Sequence, residues 1–451
     1  MYRTFIFLYP LFVRLASLWN PKARGWVRGR KGLLEDLESR FRGENRPVAW
    51  FHCASLGEFE QGRPLIEGLR KTHPGVCILL TFFSPSGLEI SKKYTGADVI
   101  CYLPMDGPRN ARAFLQAVKP AIAVFVKYEF WHFYLSALRR TGVPTLLASA
   151  VFRADQPFFR WYGGFWRKML GCFTRIFVQD QVSLELLAGL GLTDRIQWSG
   201  DTRFDRVLEL TGAALPALAG AASPHDLAGG ATLPATAAPH APAAARPLDP
   251  ALAPAAAFSG DGPVIVAGST WDEDEKELVH FARTHPHIRF ILAPHEISKE
   301  HIRAIQHAFP ESVPYSTYTP GTHARCLIID NIGMLSRLYQ LGTITFVGGG
   351  FGGDGVHNVL EAAVWGKPVV FGPIFDKYRE ATELIEAGGG FTVDNALALE
   401  SCFRQLLDHP DTLAAAGQAA RAYVEREAGA TGRILSYIQE MDVWVRPKNV
   451  S

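Results

Sequence analysis

The 451-residue chain has six cysteines and no C-x-x-C pair among them. Cys53, Cys77, Cys101, Cys172, Cys326 and Cys402 stand far apart, most of them inside apolar runs such as 76–80. Neither a disulfide framework nor a zinc site is supported, and a reducing, cytosolic setting is expected. No G-x-G-x-x-G follows the first strand candidate, and no Gly-Lys-Ser/Thr follows the glycine-rich stretch near residue 350. A dinucleotide fingerprint and a P-loop ATPase are therefore disfavoured. No acid occurs in the first 34 residues, which carry seven Lys and Arg. No clean apolar run reaches the ~20 residues that span a bilayer, and no A-x-A cleavage site follows the apolar N-terminus.

With 48% hydrophobic and 20% charged residues, real cores are available and global disorder is excluded. The formal net charge is +2, but residues 1–50 hold 10 basic against 4 acidic side chains, so the body is slightly acidic. That asymmetry argues against a nucleic-acid binder and for a protein at a membrane surface. Residues 4–19 are apolar, interrupted by Pro10 and Arg14, and are followed by Trp19, Lys22, Arg24, Trp26, Arg28, Arg30 and Lys31. Apolar anchor, aromatic belt and basic cluster predict a segment lying on or dipping into an anionic leaflet. A buried helix with a solvated basic face is the alternative.

Between 48 and 200, short β-branched or aromatic runs alternate with amphipathic stretches. Strands are expected at 48–53, 76–82, 99–103, 121–126, 145–148 and 175–178, with helices such as 59–70 and 109–118 between them. Residues 211–257 contain 20 Ala, 8 Pro and no aromatic, which predicts a disordered insertion or linker. Alternation resumes with strands expected at 264–267, 288–293, 327–330, 343–347 and 368–371, then helices at 412–427 and 433–444. The expected divisions are a membrane-associating segment 1–34, a first α/β domain 35–210, the Ala/Pro segment 211–259, a second α/β domain 260–430 and a C-terminal helix 431–451. Two doubly wound parallel sheets bind ligands beyond the carboxyl ends of their strands, with a cleft expected between facing domains.

Four stretches sit at such strand ends. His52-Cys53-Ala54-Ser55-Leu56-Gly57-Glu58 puts Glu58 at a helix start, where the helix terminus would hold it ionised and ready to take a hydroxyl proton. Plain helix capping explains the same residue. Lys127-Tyr128-Glu129-Phe130-Trp131-His132 offers a second acid among aromatics, or an aromatic core patch. In Gly200-Asp201-Thr202-Arg203-Phe204-Asp205, Arg203 suits an anion or else pairs with Asp201 or Asp205. Finally, six glycines within 348–355 lead to a helix expected at His357 or Asn358, a pattern that binds phosphate through free N–H groups, with Glu361 a turn inside for a ribose diol. Stretches 292–296 and 330–335 would line the same nucleotide pocket.

Together these residues resemble the 3-deoxy-D-manno-octulosonic acid (Kdo) transferases. The matching pieces are Arg28-Gly29-Arg30-Lys31, Ser55-Leu56-Gly57-Glu58, Glu129-Phe130-Trp131, Gly200-Asp201-Thr202-Arg203-Phe204-Asp205, Gly268-Ser269-Thr270, Ala293-Pro294-His295-Glu296 and His357-Asn358-Val359-Leu360-Glu361. The resemblance implies a GT-B fold of two facing Rossmann-like domains. It implies an enzyme that transfers Kdo from CMP-Kdo to a tetraacylated lipid A precursor, with inversion, on the cytoplasmic face of the inner membrane in lipopolysaccharide biosynthesis. It gives Glu58 as general base, Glu129 and Arg203 as transition-state-stabilising groups, and Pro294, His295, Ile332, Gly333, Met334, Asn358, Val359, Leu360 and Glu361 as CMP contacts. It implies no metal and no cofactor; the expected partners are CMP-Kdo, the lipid acceptor and anionic lipids, with no nucleic acid. The chain departs from the family pattern at His295, Met334 and Arg203, where many members carry Arg, Glu and Lys. Other readings are a UDP-sugar transferase or UDP-N-acetylglucosamine 2-epimerase of the same architecture, and a membrane-tethered binding scaffold.

Overall fold

The computed structural model describes residues 2–212, 248–309, 311–353, 355–441 and 443–444. They form two compact units, the first running to Arg206 and taking back the chain from Ala428 onward, the second built mainly from the residues between.

The first unit is a seven-stranded, all-parallel sheet of β1 (Val48–Cys53), β2 (Cys77–Phe82), β3 (Val99–Tyr102), β4 (Ile122–Val126), β5 (Thr145–Ala150), β6 (Arg175–Val178) and β7 (Ile196–Trp198), in the order β3-β2-β1-β4-β5-β6-β7. Every residue of β1, β2, β4 and β5 is buried, as strands covered on both faces must be, which is why they read as unbroken apolar runs. The second unit repeats the plan with β8 (Val264–Thr270), β9 (Arg289–Pro294), β10 (Ser312–Pro314), β11 (Cys326–Ile328), β12 (Ile344–Val347), β13 (Val369–Phe371) and β14 (Gly390–Thr392), ordered β10-β11-β9-β8-β12-β13-β14. The two Rossmann-like sheets expected from the alternation are present. Three strands were not anticipated, β7, β10 and β14, each three residues long and too short to carry a periodic signal.

In both sheets the winding reverses beside the first strand. In the first unit β1 lies between β2 and β4, so the loops after β1 and β4 diverge and leave a crevice at their carboxyl ends. In the second unit the same holds for β8 and β12. The sequence stretches singled out above that follow β1, β4 and β12 therefore fall at the switch points.

The helices that matter to the site are α1 (Tyr2–Ala16), α2 (Pro21–Arg28), α3 (Leu33–Phe41), α4 (Leu56–Thr72), α5 (Thr202–Leu210), α6 (Asp272–Thr284), α7 (Lys299–Ala308), α8 (Leu360–Ala363) and α9 (Ala430–Glu440). Helix α4 lies close on the sheet because Gly62 has no side chain; a Cβ there would stand 3.0 Å from the Cys53 sulfur and 3.1 Å from Val126. The six cysteines are unpaired, and Cys53, Cys77, Cys101 and Cys326 are buried, as expected of small core hydrophobes. Most of the Ala/Pro-rich segment falls outside the described residues. Its last part corrects the expectation of disorder up to 257: Pro250–Leu252 is a 3-10 turn and Ala253–Ser259 a helix, with Leu252, Ala255 and Phe258 buried. Alanine favours helix strongly enough to fold once one face finds a core.

The C-terminal helix expected at 431–451 is α9, and it belongs to the first unit. Asp205 holds it there. Its carboxylate, buried on α5, accepts from the Gly429 and Thr431 amides at 2.5 and 2.6 Å, capping α9 from another helix. Arg433 adds a bond to the Ser199 carbonyl at 2.6 Å and covers the Trp198 ring. We expect Asp205→Ala to lower unfolding stability by about 2–3 kcal/mol, since two buried amides lose their acceptor. Denaturant titration checks this, and an unchanged midpoint would refute the capping role.

Candidate functional site

In the first unit the chain after β1 enters α4 through a capping box. Ser55 is the N-cap, its Oγ accepts from the Glu58 amide at 3.4 Å, and Glu58 Oε2 accepts from the Ser55 amide at 3.0 Å and from the Ala54 amide. Capping and chemistry are not exclusive here. Both bonds fall on Oε2, so the cap fixes the carboxylate while Oε1 stays outside it. The expectation that the helix terminus would hold Glu58 ionised is corrected. Burial and then the charge of Glu129 raise its pKa to about 7, outweighing the amide bonds and the ammonium of Lys127.

Glu129 follows β4 and is buried. Its Oε2 lies 3.0 Å from His52 Nε2 and 2.5 Å from Trp131 Nε1. His52 is wholly enclosed on β1, where the register places it opposite Thr81 of β2; Nδ1 lies 2.9 Å from Thr81 Oγ1. Lys127, between β4 and Glu129, takes a left-handed backbone (φ 67°), a strained turn that directs the loop at the strand end. Arg203, on the first turn of α5, makes its ion pair with Asp201 at 2.7 Å, while Asp205 is spent on α9. Burial raises the pKa of Tyr128; Arg153 and Arg203 act against it, which places Arg203 within electrostatic reach of the Glu129 loop. Glu58 and Glu129 thus share one strand-end crevice, while Arg203 pairs with Asp201 and is in electrostatic reach of Tyr128. His52, Thr81 and Trp131 were not given roles from sequence. Only strand register, invisible in spacing, brings His52 to Glu129.

The N-terminal helices wrap the same corner. Tyr2 Oη donates to Asp106 at 2.5 Å and accepts from the His132 amide at 3.2 Å. Tyr9 meets Trp26 and Phe83, and the Phe83 ring packs on Trp131 at 4.9 Å. Arg30, expected to face anionic lipid, is instead enclosed. Its guanidinium bonds the carbonyls of Leu103, Phe83 and Trp26 and lies over the rings of Trp26, Tyr102 and Phe83. Burial lowers its pKa to about 10. The aromatic cage, not the lipid surface, explains this arginine. The opposite face of α1 and the turn after it expose Phe5, Phe7, Leu11, Phe12, Leu15 and Trp19. Among the described residues, no helix is long and apolar enough to cross a membrane.

In the second unit Pro294 ends β9 and pairs with Thr270 of β8. His295 stacks on Trp271 at 4.4 Å and on His357 at 4.8 Å, and Trp271 Nε1 donates to His357 Nε2 at 3.0 Å. A three-ring column therefore links the ends of β8, β9 and β12. Ile332 is 88% exposed, Gly333 turns with φ 95°, and Met334 is buried at the start of the helix Leu335–Leu338. Val359 and Leu360 are wholly buried. Asn358 accepts from the Leu360 amide at 3.3 Å and donates to Glu361 at 3.2 Å. The helix begins later than expected: α8 starts at Leu360, which puts Glu361 in its first turn.

The glycine-rich loop also differs from expectation. Asp274, wholly buried in the first turn of α6, accepts from the Gly349 amide at 2.8 Å, the Phe351 amide at 3.4 Å and the Trp271 amide at 2.9 Å. Two of the amides read as a phosphate cradle hold an internal carboxylate. The glycines themselves answer to close packing. A Cβ on Gly348 would stand 2.4 Å from the Ser269 carbonyl, and one on Gly350 would stand 2.6 Å from the Gly372 amide. Asp272, Glu275 and His301 form a group able in principle to hold a metal ion, their ligand atoms within 4.8 Å of one another. His301, however, spends Nδ1 on Asp272 at 3.0 Å and Nε2 on Glu275 at 3.1 Å, and Thr270 completes Glu275. The triad is satisfied as an ion-pair network. The spacing of Asp272 and Asp274 is that of a D-x-D motif, a signal the sequence reading passed over; the two side chains serve different partners.

Residues 28–206 match the family model described as 3-Deoxy-D-manno-octulosonic-acid transferase (kdotransferase). The chain is 27% identical over 369 residues to the 3-deoxy-D-manno-octulosonic acid transferase of Aquifex aeolicus, covering 79% of this chain and 85% of that one. It is 27% identical over 406 residues to the protein of the same name from Bordetella pertussis, covering 87% and 86%. The motif-based resemblance is borne out. Among solved structures, the fold is similar to UDP-GlcNAc 2-epimerase from Neisseria meningitidis, with a TM-score of 0.59, 15% identity, and 88% and 100% of the two chains covered. At that identity the likeness bears out the GT-B-like fold alone.

The glycine packing can be checked directly. We expect Gly372→Ala to destabilise the second unit by about 1–3 kcal/mol, because its Cβ would stand 2.5 Å from the Gly350 carbonyl carbon, backbone that has no room to yield. Thermal unfolding reads this out, and unchanged stability would return the glycines to a ligand role.

Proposed function

We propose that the chain, similar over most of its length to Kdo transferases, is itself a glycosyltransferase that moves Kdo from CMP-Kdo to a tetraacylated lipid A precursor. The observation that carries the mechanism is Glu58. It stands at a switch-point strand end, fixed through Oε2, with a pKa near neutrality set by burial and Glu129. A sugar hydroxyl is a poor nucleophile until its proton is removed, and a base of pKa near the working pH removes it best. In this reading the acceptor hydroxyl gives its proton to Glu58 Oε1 as its oxygen bonds the anomeric carbon. The bond from that carbon to the CMP phosphate breaks, the electron pair leaves with CMP, and the configuration inverts. Arg203 offers a fixed cation to the Kdo carboxylate or phosphate, and Glu129 the negative field that keeps Glu58 basic. Pro294, His295, the 332–334 turn and 358–361 hold the CMP. Neither metal nor cofactor enters the reaction.

We place the protein on the cytoplasmic face of the inner membrane, held by the outward apolar face of α1 and by exposed cations such as Lys22, Arg24 and Arg28 against anionic lipid. The acceptor's sugars lie at that surface, so the anchor and the chemistry serve one substrate.

Two outcomes test this. Glu58→Gln should lower transfer by about 100-fold or more, with CMP affinity and the melting curve unchanged, by mass-spectrometric assay with CMP-Kdo and a defined lipid A precursor. In the wild type the rate should rise with pH through about 7, as Glu58 loses its proton. Full turnover in Glu58→Gln would sink the base assignment. Separately, Phe7→Ser with Phe12→Ser should weaken binding to vesicles containing anionic lipid while leaving the fold intact. These side chains are 76% and 62% exposed, so their loss removes no core contact. Undiminished sedimentation with vesicles would remove α1 as the anchor.

A further inference from the structure

His52 is a buried titratable side chain that the reaction above does not use, and its surroundings fix what it does. Its Nδ1 faces Thr81, 2.9 Å from Oγ1 and 3.1 Å from the carbonyl; its Nε2 faces Glu129 Oε2 at 3.0 Å and Trp131 Nε1 at 3.0 Å. Trp50 Nε1, which can only donate, gives its hydrogen to Thr81 Oγ1 at 2.8 Å. Thr81 Oγ1 has His52 Nδ1 at 2.9 Å and the Phe51 carbonyl at 3.3 Å as acceptors for its own hydrogen, and Nδ1 is the nearer. At the other end of the ring a carboxylate oxygen only accepts, so His52 carries hydrogen on Nε2 and donates it to Glu129. Trp131 Nε1 is the second donor to the same Glu129 oxygen at 2.5 Å.

The chain of bonds runs one way, from Trp50 through Thr81 and His52 to Glu129. It begins on an indole that does not give up its proton, so it is no proton wire to solvent. It is a device for holding a charged carboxylate in a dry place. The groups around it are Glu58 and Lys127 from the two neighbouring strand-end loops, Cys53 at the end of β1, and Tyr2 of α1.

We infer that His52 is the positioning residue of this site: by donating to Glu129 it keeps that carboxylate charged and in place beside Glu58, and so sets how strongly Glu58 holds a proton. This rests on Glu58 acting as the base. Without the His52 donor the Glu129 carboxylate is no longer held beside Glu58, its field there weakens, and Glu58 becomes a weaker base.

The test compares wild type with His52→Phe, which keeps the buried ring and removes both nitrogens, His52→Gln, which restores a donor at the Nε2 position, and Thr81→Val, which frees the tautomer. Each is assayed with CMP-Kdo and lipid A precursor across neutral pH, with circular dichroism to confirm folding. In His52→Phe the rising limb of the rate profile should move down by roughly one pH unit, with kcat reduced about tenfold or more. KM for CMP-Kdo should stay within about twofold, since the donor site is untouched. Thr81→Val should shift the limb in the same direction, and His52→Gln should return it toward wild type. A limb that stays fixed while kcat falls overturns the proposal, as does His52→Gln behaving like His52→Phe. Should His52→Phe fail to fold, the Gln and Val variants decide on the same criteria. Failure of the base reading is distinguishable: it appears as turnover kept in Glu58→Gln. With Glu58→Gln inactive, a limb indifferent to His52 and Thr81 sinks the His52 proposal alone.

Discussion

Two carboxylates placed close together in a desolvated corner are the constraint on which the first unit turns. Glu58 and Glu129 reach the same crevice because β1 and β4 are neighbours at the point where the sheet reverses its winding. Like charges in low dielectric repel, so one of the two must give up some of its acidity. Hydrogen bonding decides which. Glu129 receives the side-chain donors His52 and Trp131, themselves held by Thr81 and Trp50, and this stabilises its charge. Glu58 receives only its own capping amides, and those fall on one oxygen. The asymmetry separates two identical functional groups into a fixed charge and a mobile proton acceptor.

The second unit solves the opposite problem by related means. Four acids crowd the first turn of α6, and the structure partners three of them in place: Asp274 on the amides of the glycine loop, Asp272 and Glu275 on His301. An amide that already holds a carboxylate is not free for a phosphate, so the Gly349 and Phe351 amides are not bare donors as in a P-loop. Beside the loop stand the histidine column and the 358–361 turn, where Asn358 caps the Leu360 amide.

Fold and site were legible from sequence to different depths. Buried strands such as β1, β2 and β4 declare themselves because both faces are apolar, and so do the short but wholly buried β11 and β13; β7, β10 and β14 are short and only partly buried and do not. Strand ends were located well enough to single out Glu58, Glu129 and Arg203, because chemistry in wound sheets gathers there. Partner choice was not legible. Arg203 was open between Asp201 and Asp205, and only the packing of α9 shows that Asp205 is occupied. Arg30 read as one cation among five, and two of the three rings of its aromatic cage, Phe83 and Tyr102, come from more than fifty positions away. The glycines gave a correct loop, but their spacing could not tell close backbone approach, seen at Gly348 and Gly350, from phosphate binding, since both demand the same residue. His52 was quoted in a motif without a role, because its function depends on register with β2.

The same dependence on long-range partners changes the meaning of the N-terminal segment. A soluble amphipathic helix turns its apolar stripe inward, whereas α1 turns polar handles inward and large apolar side chains out. Tyr2 bonds Asp106 and the His132 amide, and Tyr9 packs on Phe83, which in turn packs on Trp131. Phe5, Phe7, Leu11 and Phe12 face away from the body. The inner face of α1 is thus part of the wall behind Glu129, while its outer face is exposed. Removing the whole segment would strip both at once, confounding loss of an anchor with loss of support for the site. Surface substitution on the outer face separates them. The basic cluster divides along the same line: Arg30 belongs to the wall, and Lys22, Arg24 and Arg28 remain exposed.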